Sequence, residues 1–339
     1  MLRIGIIGLG HWGPNLERNF LNFPDTELTA ICDLSDDCLN KVQKMNSKVY
    51  KTKKAKDLLD KRRIDAVVIA TPTNTHYSLA KLALEKGIHV FVEKPLATKS
   101  SECERLIELA EKNNLILFVG HVFLYNSAVN TIKKLIDDGV LGRIIHINAS
   151  RLNLGPVRQD VNALWDLAPH DISIVLELLG RLPESVNCQG LAYLKTDVHD
   201  VCSLTMHFEE NCMATINVSW LDPNKTRLMT IVGDNKMAVF DDNEQLEKIK
   251  IFDKSVDTCA YTNGTYESFQ ATNRYGDTSI PWLHLVEPLK AECQNFIECV
   301  VTNKNPKTDG KNGLDVVRVL EAADISLHNS GGRVVLKDR

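Results

Sequence analysis

A glycine-rich segment directly after a short apolar run constrains the fold of this chain more than any other feature. Gly8, Gly10 and Gly13 form the pattern G-x-G-x-x-G, and Asp33 follows twenty residues after the last of them. In a strand–turn–helix unit the first glycine makes a tight turn, the second lets backbone approach a pyrophosphate, and the third lets the helix pack on the strand. The helix N-terminus then favours the phosphate charge. The segment therefore predicts a dinucleotide-binding unit.

The residues around this motif indicate which dinucleotide binds. Asp33 is expected to accept hydrogen bonds from the adenosine ribose hydroxyls, and its carboxylate would repel a 2′-phosphate. Leu34 follows it, where an arginine would be needed to bind such a phosphate. We therefore predict NAD rather than NADP as the cofactor, with His11 and Trp12 of the glycine-rich segment beside it.

The first 120 residues alternate between β-rich apolar runs and stretches with helical spacing. Strands this uniformly apolar are buried on both faces, as parallel strands between helices are. We predict a doubly wound Rossmann domain, an α/β fold, over residues 1–122. The predicted strands are Arg3–Gly8, Leu28–Asp33, Ala66–Ala70, His89–Glu93 and Leu115–Gly120.

Candidate strands follow one another without intervening helices in the second part of the chain. Their alternating pattern predicts an α+β domain over residues 123–339 with a large, mostly antiparallel open sheet. One helix, Pro169–Leu179, interrupts the strands, with proline at its first position and Gly180 after its end. The last helices of this domain are available to pack back on the first domain, and Lys254–Thr278 is expected to be an irregular loop.

Composition and charge exclude several classes of protein. Lys and Arg total 40 and Asp and Glu total 44, and a mildly acidic chain argues against nucleic acid as a partner. The nine cysteines form no C-x-x-C pair, which indicates reduced thiols in the cytoplasm and no metal site. We find neither a leader nor an apolar run of about 18 residues, so we expect no membrane partner.

Polar residues follow two further strands of the predicted parallel sheet. Ligands bind beyond the carboxyl ends of such strands, so both segments are expected to lie near the cofactor. A functional role for Lys94 is predicted on this ground. The predicted cofactor-binding residues of the two segments are Thr71, Pro72, Asn74 and His76 after one strand, and Glu93 and Lys94 after the next.

Asp166 and His170 are four residues apart at the predicted start of a helix, so their side chains can face the same side. One interpretation is that Asp166 caps the helix and His170 fills a polar hole in the core. The rest of the helix is almost wholly apolar and therefore buried. We favour the alternative, in which this pair lines a cleft.

Together, the G-x-G-x-x-G, Glu93-Lys94-Pro95 and the pattern from Asp166 to His170 resemble the glucose–fructose oxidoreductase/inositol dehydrogenase/MocA family. The resemblance covers nearly the whole chain. Residues 120–126, 165–171 and 286–289 are similar to the branch of UDP-sugar 3-dehydrogenases, including those of UDP-N-acetylglucosamine. The family resemblance implies that Lys94, Asp166 and His170 form the catalytic group. It also implies that the chain forms a homodimer or homotetramer through its C-terminal sheet.

The expected activity is NAD-dependent oxidation of a secondary hydroxyl, at C3, of a nucleotide-linked sugar. Two alternatives stay open: a dehydrogenase or reductase of a free polyol, inositol or keto-sugar, and a regulator that binds NAD without turnover. Whether Lys94 or His170 accepts the proton is also open. The predicted substrate-binding residues are Lys94, Tyr125, Arg151, Asn153, Arg158, Trp165, Asp166 and His170.

Arg151 and Arg158 precede the predicted helix near whose start Asp166 and His170 lie. From these two arginines we predict a binding site for the diphosphate of the substrate. Guanidinium groups present a fork of donors that suits phosphate oxygens. The alternative is that the two arginines form ion pairs with Asp160 or another carboxylate.

Overall fold

The computed structural model describes residues 1–45, 48–155, 157–158, 161–260 and 269–336. The chain divides into two compact units. The first unit comprises Met1–Tyr125 and Val286–Glu321, and the second comprises Asn126–Leu285 and Ala322–Arg339. Among the described residues, no helix combines the length and the apolar composition that a membrane crossing requires.

The first unit contains a six-stranded sheet in the order β3-β2-β1-β4-β5-β6, and every neighbouring pair is parallel. The predicted doubly wound Rossmann sheet is confirmed. Its third strand was not predicted, because it is three residues long and lies in a lysine-rich stretch. The strands are β1 (Leu2–Ile7), β2 (Thr26–Cys32), β3 (Tyr50–Thr52), β4 (Ala66–Ile69), β5 (His89–Glu93) and β6 (Leu117–Gly120).

Helices from both ends of the chain belong to the first unit. Phe296 of the late helix α8 packs against Phe20, Phe91 and Phe118, with ring centroids 6.2, 5.5 and 5.5 Å away. These four rings are buried in one apolar cluster, so the late segment completes the core around the parallel sheet. The helices are α1 (Gly13–Leu21), α2 (Asp36–Met45), α3 (Ala55–Leu58), α4 (His76–Glu85), α5 (Ser100–Asn113), α8 (Pro288–Thr302) and α9 (Gly310–His328), the last up to Glu321.

The second unit contains a nine-stranded sheet in the order β14-β13-β12-β11-β7-β10-β9-β8-β15, counted over the described ranges. The β7–β10 pair is parallel and the other pairs are antiparallel, which confirms the predicted mostly antiparallel sheet. The strands are β7 (Ile144–Leu154), β8 (Ser185–Leu191), β9 (Val201–Phe208), β10 (Cys212–Ser219), β11 (Leu221–Gly233), β12 (Met237–Asp241), β13 (Ile249–Ala260), β14 (Phe269–Ser279) and β15 (Val334–Val335).

The expected irregular loop at Lys254–Thr278 is wrong for the residues described. β13 and β14 form a long antiparallel pair whose register runs from Ile251 opposite Ser279 to Ala260 opposite Phe269. The segment is rich in Thr and Tyr, which fit strands well, whereas its Asn and Gly residues had suggested a loop. Residues 261–268 lie outside the described ranges.

Two helices, α6 (Ser127–Asp137) and α7 (Ala163–Leu179), belong to the second unit, and α7 packs on its sheet. The predicted helix start at Pro169 is wrong, because α7 begins six residues earlier and Pro169 lies inside it. Asn162 caps the helix by accepting a hydrogen bond from the Trp165 N–H at 3.0 Å. Gly180, with φ 66°, ends the helix as predicted.

Candidate active site

The three glycines of the motif occupy three different environments. Gly8 has φ +92°, and a Cβ there would lie 2.6 Å from the Ala70 carbonyl oxygen. A Cβ on Gly13 would lie 2.3 Å from the Gly8 carbonyl oxygen, whereas a Cβ on Gly10 would meet no atom within 4 Å. The turn and the helix–strand packing thus require Gly8 and Gly13. Gly10 borders open space at the N-terminus of α1, which fits the approach of a pyrophosphate.

Asp33 supports this loop from the end of β2. Its Oδ2 accepts a hydrogen bond from the Leu9 N–H at 2.7 Å, and its Oδ1 accepts one from the Ser35 N–H at 2.8 Å. A carboxylate oxygen can accept more than one hydrogen bond, so both oxygens keep capacity for a ribose hydroxyl. His11 and Trp12 lie exposed on the same loop, with their rings edge to face.

The segments after β4 and β5 are joined by His76. Its Nδ1 lies 2.8 Å from the Pro95 carbonyl oxygen and its Nε2 lies 2.9 Å from the Thr71 carbonyl oxygen. His76 is buried, whereas Pro72 and Asn74 are exposed. The ring of His76 therefore holds the two segments, and cofactor contact stays a prediction for Thr71, Pro72 and Asn74.

Glu93 and Lys94 end β5 together. The Glu93 Oε2 accepts a hydrogen bond from the Lys94 N–H at 3.3 Å. Burial raises the pKa of the Glu93 carboxyl to about 7, against the charge of Lys94, which lowers it. A Cβ on Gly120, in the neighbouring strand, would lie 3.2 Å from the Glu93 Oε2. Gly120 thus leaves the room that this carboxyl occupies.

Two buried titratable residues of the first unit, His121 and Glu292, were not predicted from the sequence as candidates for a functional role. Burial and the charge of Lys94 lower the pKa of His121 to about 3, so its imidazole is neutral. Burial, and then the charge of Glu93, raises the pKa of Glu292 well above its usual value. Glu292 interrupts the apolar face of α8, and that interruption is the signal that could have identified it.

Asp166 lies in the first turn of α7, where both of its oxygens have partners in the second unit. Oδ1 accepts a hydrogen bond from Arg158 Nη1 at 3.1 Å, and Oδ2 accepts one from Trp220 Nε1 at 3.2 Å. Trp220 is fully buried and was not predicted as a site residue. The signal in the sequence was its position directly after β10, where it continues the alternation of apolar residues. His170 lies one turn further along α7, half-buried.

Arg151 forms an ion pair inside the second unit. Its Nε donates to Asp171 Oδ2 at 2.7 Å and its Nη2 donates to Asp171 Oδ1 at 3.0 Å, and both side chains are buried. The alternative of an ion pair is therefore the one that the structure supports, because a buried, paired guanidinium is poorly placed to receive a diphosphate. Asp160, the other candidate partner, lies outside the described residues.

The other predicted substrate residues of the second unit keep part of their surface exposed. Arg158 has 35% of its side chain exposed although it is paired with Asp166. Asn153 and Trp165 are also half-buried. The Nδ2 of Asn153 lies 2.6 Å from where a Cβ on Gly155 would be, so Asn153 folds over that glycine.

Tyr125 has an internal role in the first unit. Its hydroxyl donates to Asn295 Oδ1 at 2.8 Å and lies 3.3 Å from Thr308 Oγ1. Its ring stacks on Phe118, and burial raises its pKa. The hydroxyl is thus engaged inside the unit, and substrate contact stays a prediction for Tyr125.

Eight of the nine cysteines have side chains that the structure describes, and these eight are free thiols. No group of three or more His, Cys, Asp or Glu side chains in the described ranges is arranged to hold a metal ion.

Two protein-family models match the chain. The model described as "Oxidoreductase family, NAD-binding Rossmann fold" matches residues 2–121, and the "GFO/IDH/MocA C-terminal domain" matches residues 129–239. The chain is 27% identical over 242 residues to the UDP-N-acetylglucosamine 3-dehydrogenase of Acidithiobacillus ferrooxidans, covering 71% of this chain and 74% of that protein. It is 24% identical over 336 residues to the myo-inositol 2-dehydrogenase of Thermotoga maritima, covering 96% of each.

A solved structure shares the fold. The WlbA dehydrogenase from Bordetella pertussis, in complex with NADH and UDP-GlcNAcA, has a TM-score of 0.80 at 23% identity. The match covers 100% of this chain and 99% of that one.

Substitution of Gly10 and Gly13 separates cofactor binding from folding. We expect G10A to keep the wild-type melting temperature and to bind NAD roughly 10- to 100-fold more weakly, because its methyl group enters the space left for the pyrophosphate. We expect G13A to lower the melting temperature, since its Cβ collides with the Gly8 carbonyl. Calorimetry of both variants with NAD checks this, and a G10A protein with unchanged NAD affinity would contradict it.

Substitution of Asp33 tests cofactor choice. We expect D33S to weaken NAD binding and to improve NADP binding relative to NAD, because a ribose acceptor and a repulsive charge are both lost. The matched control is D36S, at an exposed aspartate that pairs with Lys53. Dissociation constants for both cofactors are measured by titration, and an unchanged ratio in D33S counts against the assignment.

Proposed function

We propose a function from one premise: the chain belongs to the Gfo/Idh/MocA oxidoreductase family and carries its NAD-binding Rossmann domain. The proposed activity is oxidation of the C3 hydroxyl of a nucleotide-linked sugar, such as UDP-N-acetylglucosamine, to a keto-sugar. The observation that carries it is the position of Asp166 on α7. Arg158 and Trp220 donate hydrogen bonds to its two carboxylate oxygens, and His170 follows one helical turn later. The similarity to a UDP-N-acetylglucosamine 3-dehydrogenase supports the substrate class.

In the proposed cofactor site, Gly10 and the first turn of α1 receive the pyrophosphate, and Asp33 receives the adenosine ribose. The open space at Gly10 supports this assignment, as do the two backbone hydrogen bonds that orient the Asp33 carboxylate. Held there by these residues, NAD would supply the hydride acceptor for oxidation of the sugar carbon. Glu93 and Lys94 complete the proposed cofactor-binding residues, with the segment that His76 holds.

In the proposed reaction, His170 accepts the proton of the sugar hydroxyl. Lys94 donates a hydrogen bond to the same oxygen and stabilises the negative charge that develops on it. Asp166 orients the pair as a positioning residue, held by Arg158 and Trp220. The neutral form of His170 is the one that can act as this base.

The proposed diphosphate ligand is Arg158, because it combines a positive charge with an exposed surface. Asn153 and Trp165 are the other proposed substrate residues in this segment. Arg151 is left out of this set, since its pairing with Asp171 ties β7 to the turn of α7 that follows His170.

A free inositol is the second candidate substrate. The similarity to a myo-inositol 2-dehydrogenase extends over 96% of the chain, more than the similarity to the UDP-sugar enzyme. Such a substrate brings no phosphate, so its binding would not depend on the charge of Arg158. We also propose a cytoplasmic homodimer or homotetramer formed through the open face of the nine-stranded sheet.

A substrate panel tests the activity. With NAD present, we expect reduced-nicotinamide absorbance to rise with UDP-N-acetylglucosamine and to stay low with free N-acetylglucosamine and with myo-inositol. H170A and K94A should each lower turnover about 10²–10⁴-fold while NAD still binds, and H207A, a half-buried histidine of the same unit as His170, should be neutral. Near-normal turnover in both catalytic variants would refute the roles.

Substitution of Arg158 tests the phosphate assignment. We expect R158A to raise KM for the UDP-sugar about tenfold or more, with a smaller effect on kcat, because one charged hydrogen bond to phosphate is lost. The matched control is R181A, an arginine of the same unit with 31% of its side chain exposed and its own salt bridge to Glu210. Efficient oxidation of inositol, insensitive to R158A, would favour the second candidate.

A further inference from the structure

Asp200 is a fully buried acidic residue that directly precedes β9 in the second unit. Its Oδ2 accepts hydrogen bonds from the Tyr193 N–H at 2.7 Å and from the Leu194 N–H at 2.9 Å. Its Oδ1 is also buried, without a hydrogen-bond partner among the described residues. Burial of a carboxyl group that is only partly hydrogen-bonded costs free energy. The position of Asp200 therefore favours a role in ordering the backbone that it binds.

That backbone is the segment of residues 192–200, which connects β8 to β9 and is called the β8–β9 segment below. The side chains of Tyr193 and Leu194 are 75% and 51% exposed, so packing does little to fix this segment. Its two ends are held together by hydrogen bonds instead. The Asp200 N–H donates to the Leu191 carbonyl oxygen at 2.8 Å, and the Asp200 side chain binds the next turn of backbone. The conformation of the segment thus depends on residue 200.

The end of the β8–β9 segment is hydrogen-bonded to two elements that position Asp166. The carbonyl oxygen of His199 accepts the N–H of Ala163, the first residue of α7, at 2.9 Å. The carbonyl oxygen of Asp200 accepts the Trp220 N–H at 3.0 Å. Asp166 lies in the turn that Ala163 begins, and its Oδ2 accepts the hydrogen bond of Trp220 Nε1. Both supports of Asp166 therefore meet the same two residues of the segment.

We propose that Asp200 is a positioning residue that acts on Asp166 through Trp220 and the start of α7. Without its carboxyl group, the N–H groups of Tyr193 and Leu194 lose their acceptor, and the β8–β9 segment has to rearrange to find another. The rearrangement moves the carbonyl groups that support the two elements, so Asp166 is held less exactly. The effect of Asp200 on turnover rests on the proposed function, whereas its effect on the hydrogen bond between Trp220 and Asp166 does not.

The indole N–H resonance of Trp220 tests the proposal by nuclear magnetic resonance without any substrate. Protein made with isotope-labelled tryptophan carries four indole signals, and W220F identifies the signal of Trp220 by its loss. D166A gives the position of that signal when the hydrogen bond is absent. We expect D200A to move the signal towards its position in D166A. D200N should keep it near the wild-type position, because the amide oxygen can accept both N–H groups.

The matched control for D200A is S326A. Ser326 is fully buried in the same unit, and its Oγ accepts a hydrogen bond from the Cys188 N–H at 2.8 Å. S326A therefore also removes a buried acceptor of a backbone N–H, but at a place that does not border Trp220. The Trp220 signal should stay unchanged in S326A. A Trp220 signal that stays unmoved in folded D200A would overturn the proposal.

Hydrogen exchange of the unmodified protein decides the proposal if D200A does not fold. We expect the backbone N–H groups of Tyr193, Leu194, Ala163 and Trp220 to become exchangeable in one opening event, with the same dependence on denaturant. Rapid exchange at Tyr193 and Leu194, with Ala163 and Trp220 still protected, would show that the β8–β9 segment does not support the two elements. That result would overturn the proposal.

Turnover separates a positioning role from a merely structural one. We expect D200A to lower kcat about tenfold with a smaller effect on KM, and D200N to restore kcat to near the wild-type value. Because Asp200 acts through Asp166, the double variant D200A/D166A should have the kcat of D166A alone. Losses that multiply in the double variant would refute the positioning role. A chain inactive on every sugar would contradict the proposed function, and the Trp220 signal would still decide whether Asp200 orders Asp166.

Discussion

The close approach of α1 to β1 is the contact on which the first unit depends. Gly13 lies so near the Gly8 carbonyl that no side chain fits between them, and this fixes the start of α1 beyond the end of β1. The parallel arrangement brings the ends of β2, β4 and β5 to the same edge of the sheet. Asp33 and Lys94 follow two of those ends. The polar groups of this unit are therefore gathered by topology, although they are far apart in the chain.

Two ion pairs link arginines of the second unit to aspartates of α7. Arg151 is buried against Asp171, and Arg158 is paired with Asp166 nearer the surface. A buried guanidinium without its partner is strongly unfavourable, so the deeper pair serves the packing of α7 on the sheet. The shallower pair remains accessible on one side. Two arginines seven positions apart thus have different physical situations, set by burial rather than by residue type.

The sequence predicted the parts of the structure that depend on local chemistry. The glycine motif and the apolar strands of the parallel sheet are examples, because steric limits and burial act on each residue directly. It did not predict that α7 begins before Pro169, because Asn162 is a stronger start signal than a proline that the helix can contain. The roles of Arg151 and Tyr125 depended on partners distant in sequence, Asp171 and Asn295, which no local pattern identifies.

The position of α8 has a consequence for synthesis of the chain. Phe20, Phe91 and Phe118 emerge from the ribosome long before Phe296, against which their rings pack. The parallel sheet therefore spends most of translation with an apolar face that its own late helix has yet to cover. Contacts of such wide sequence separation are slow to form, and exposed apolar surface favours aggregation in the interval. Until α8 is made, the rings of Phe20, Phe91 and Phe118 lack the contact that Phe296 provides.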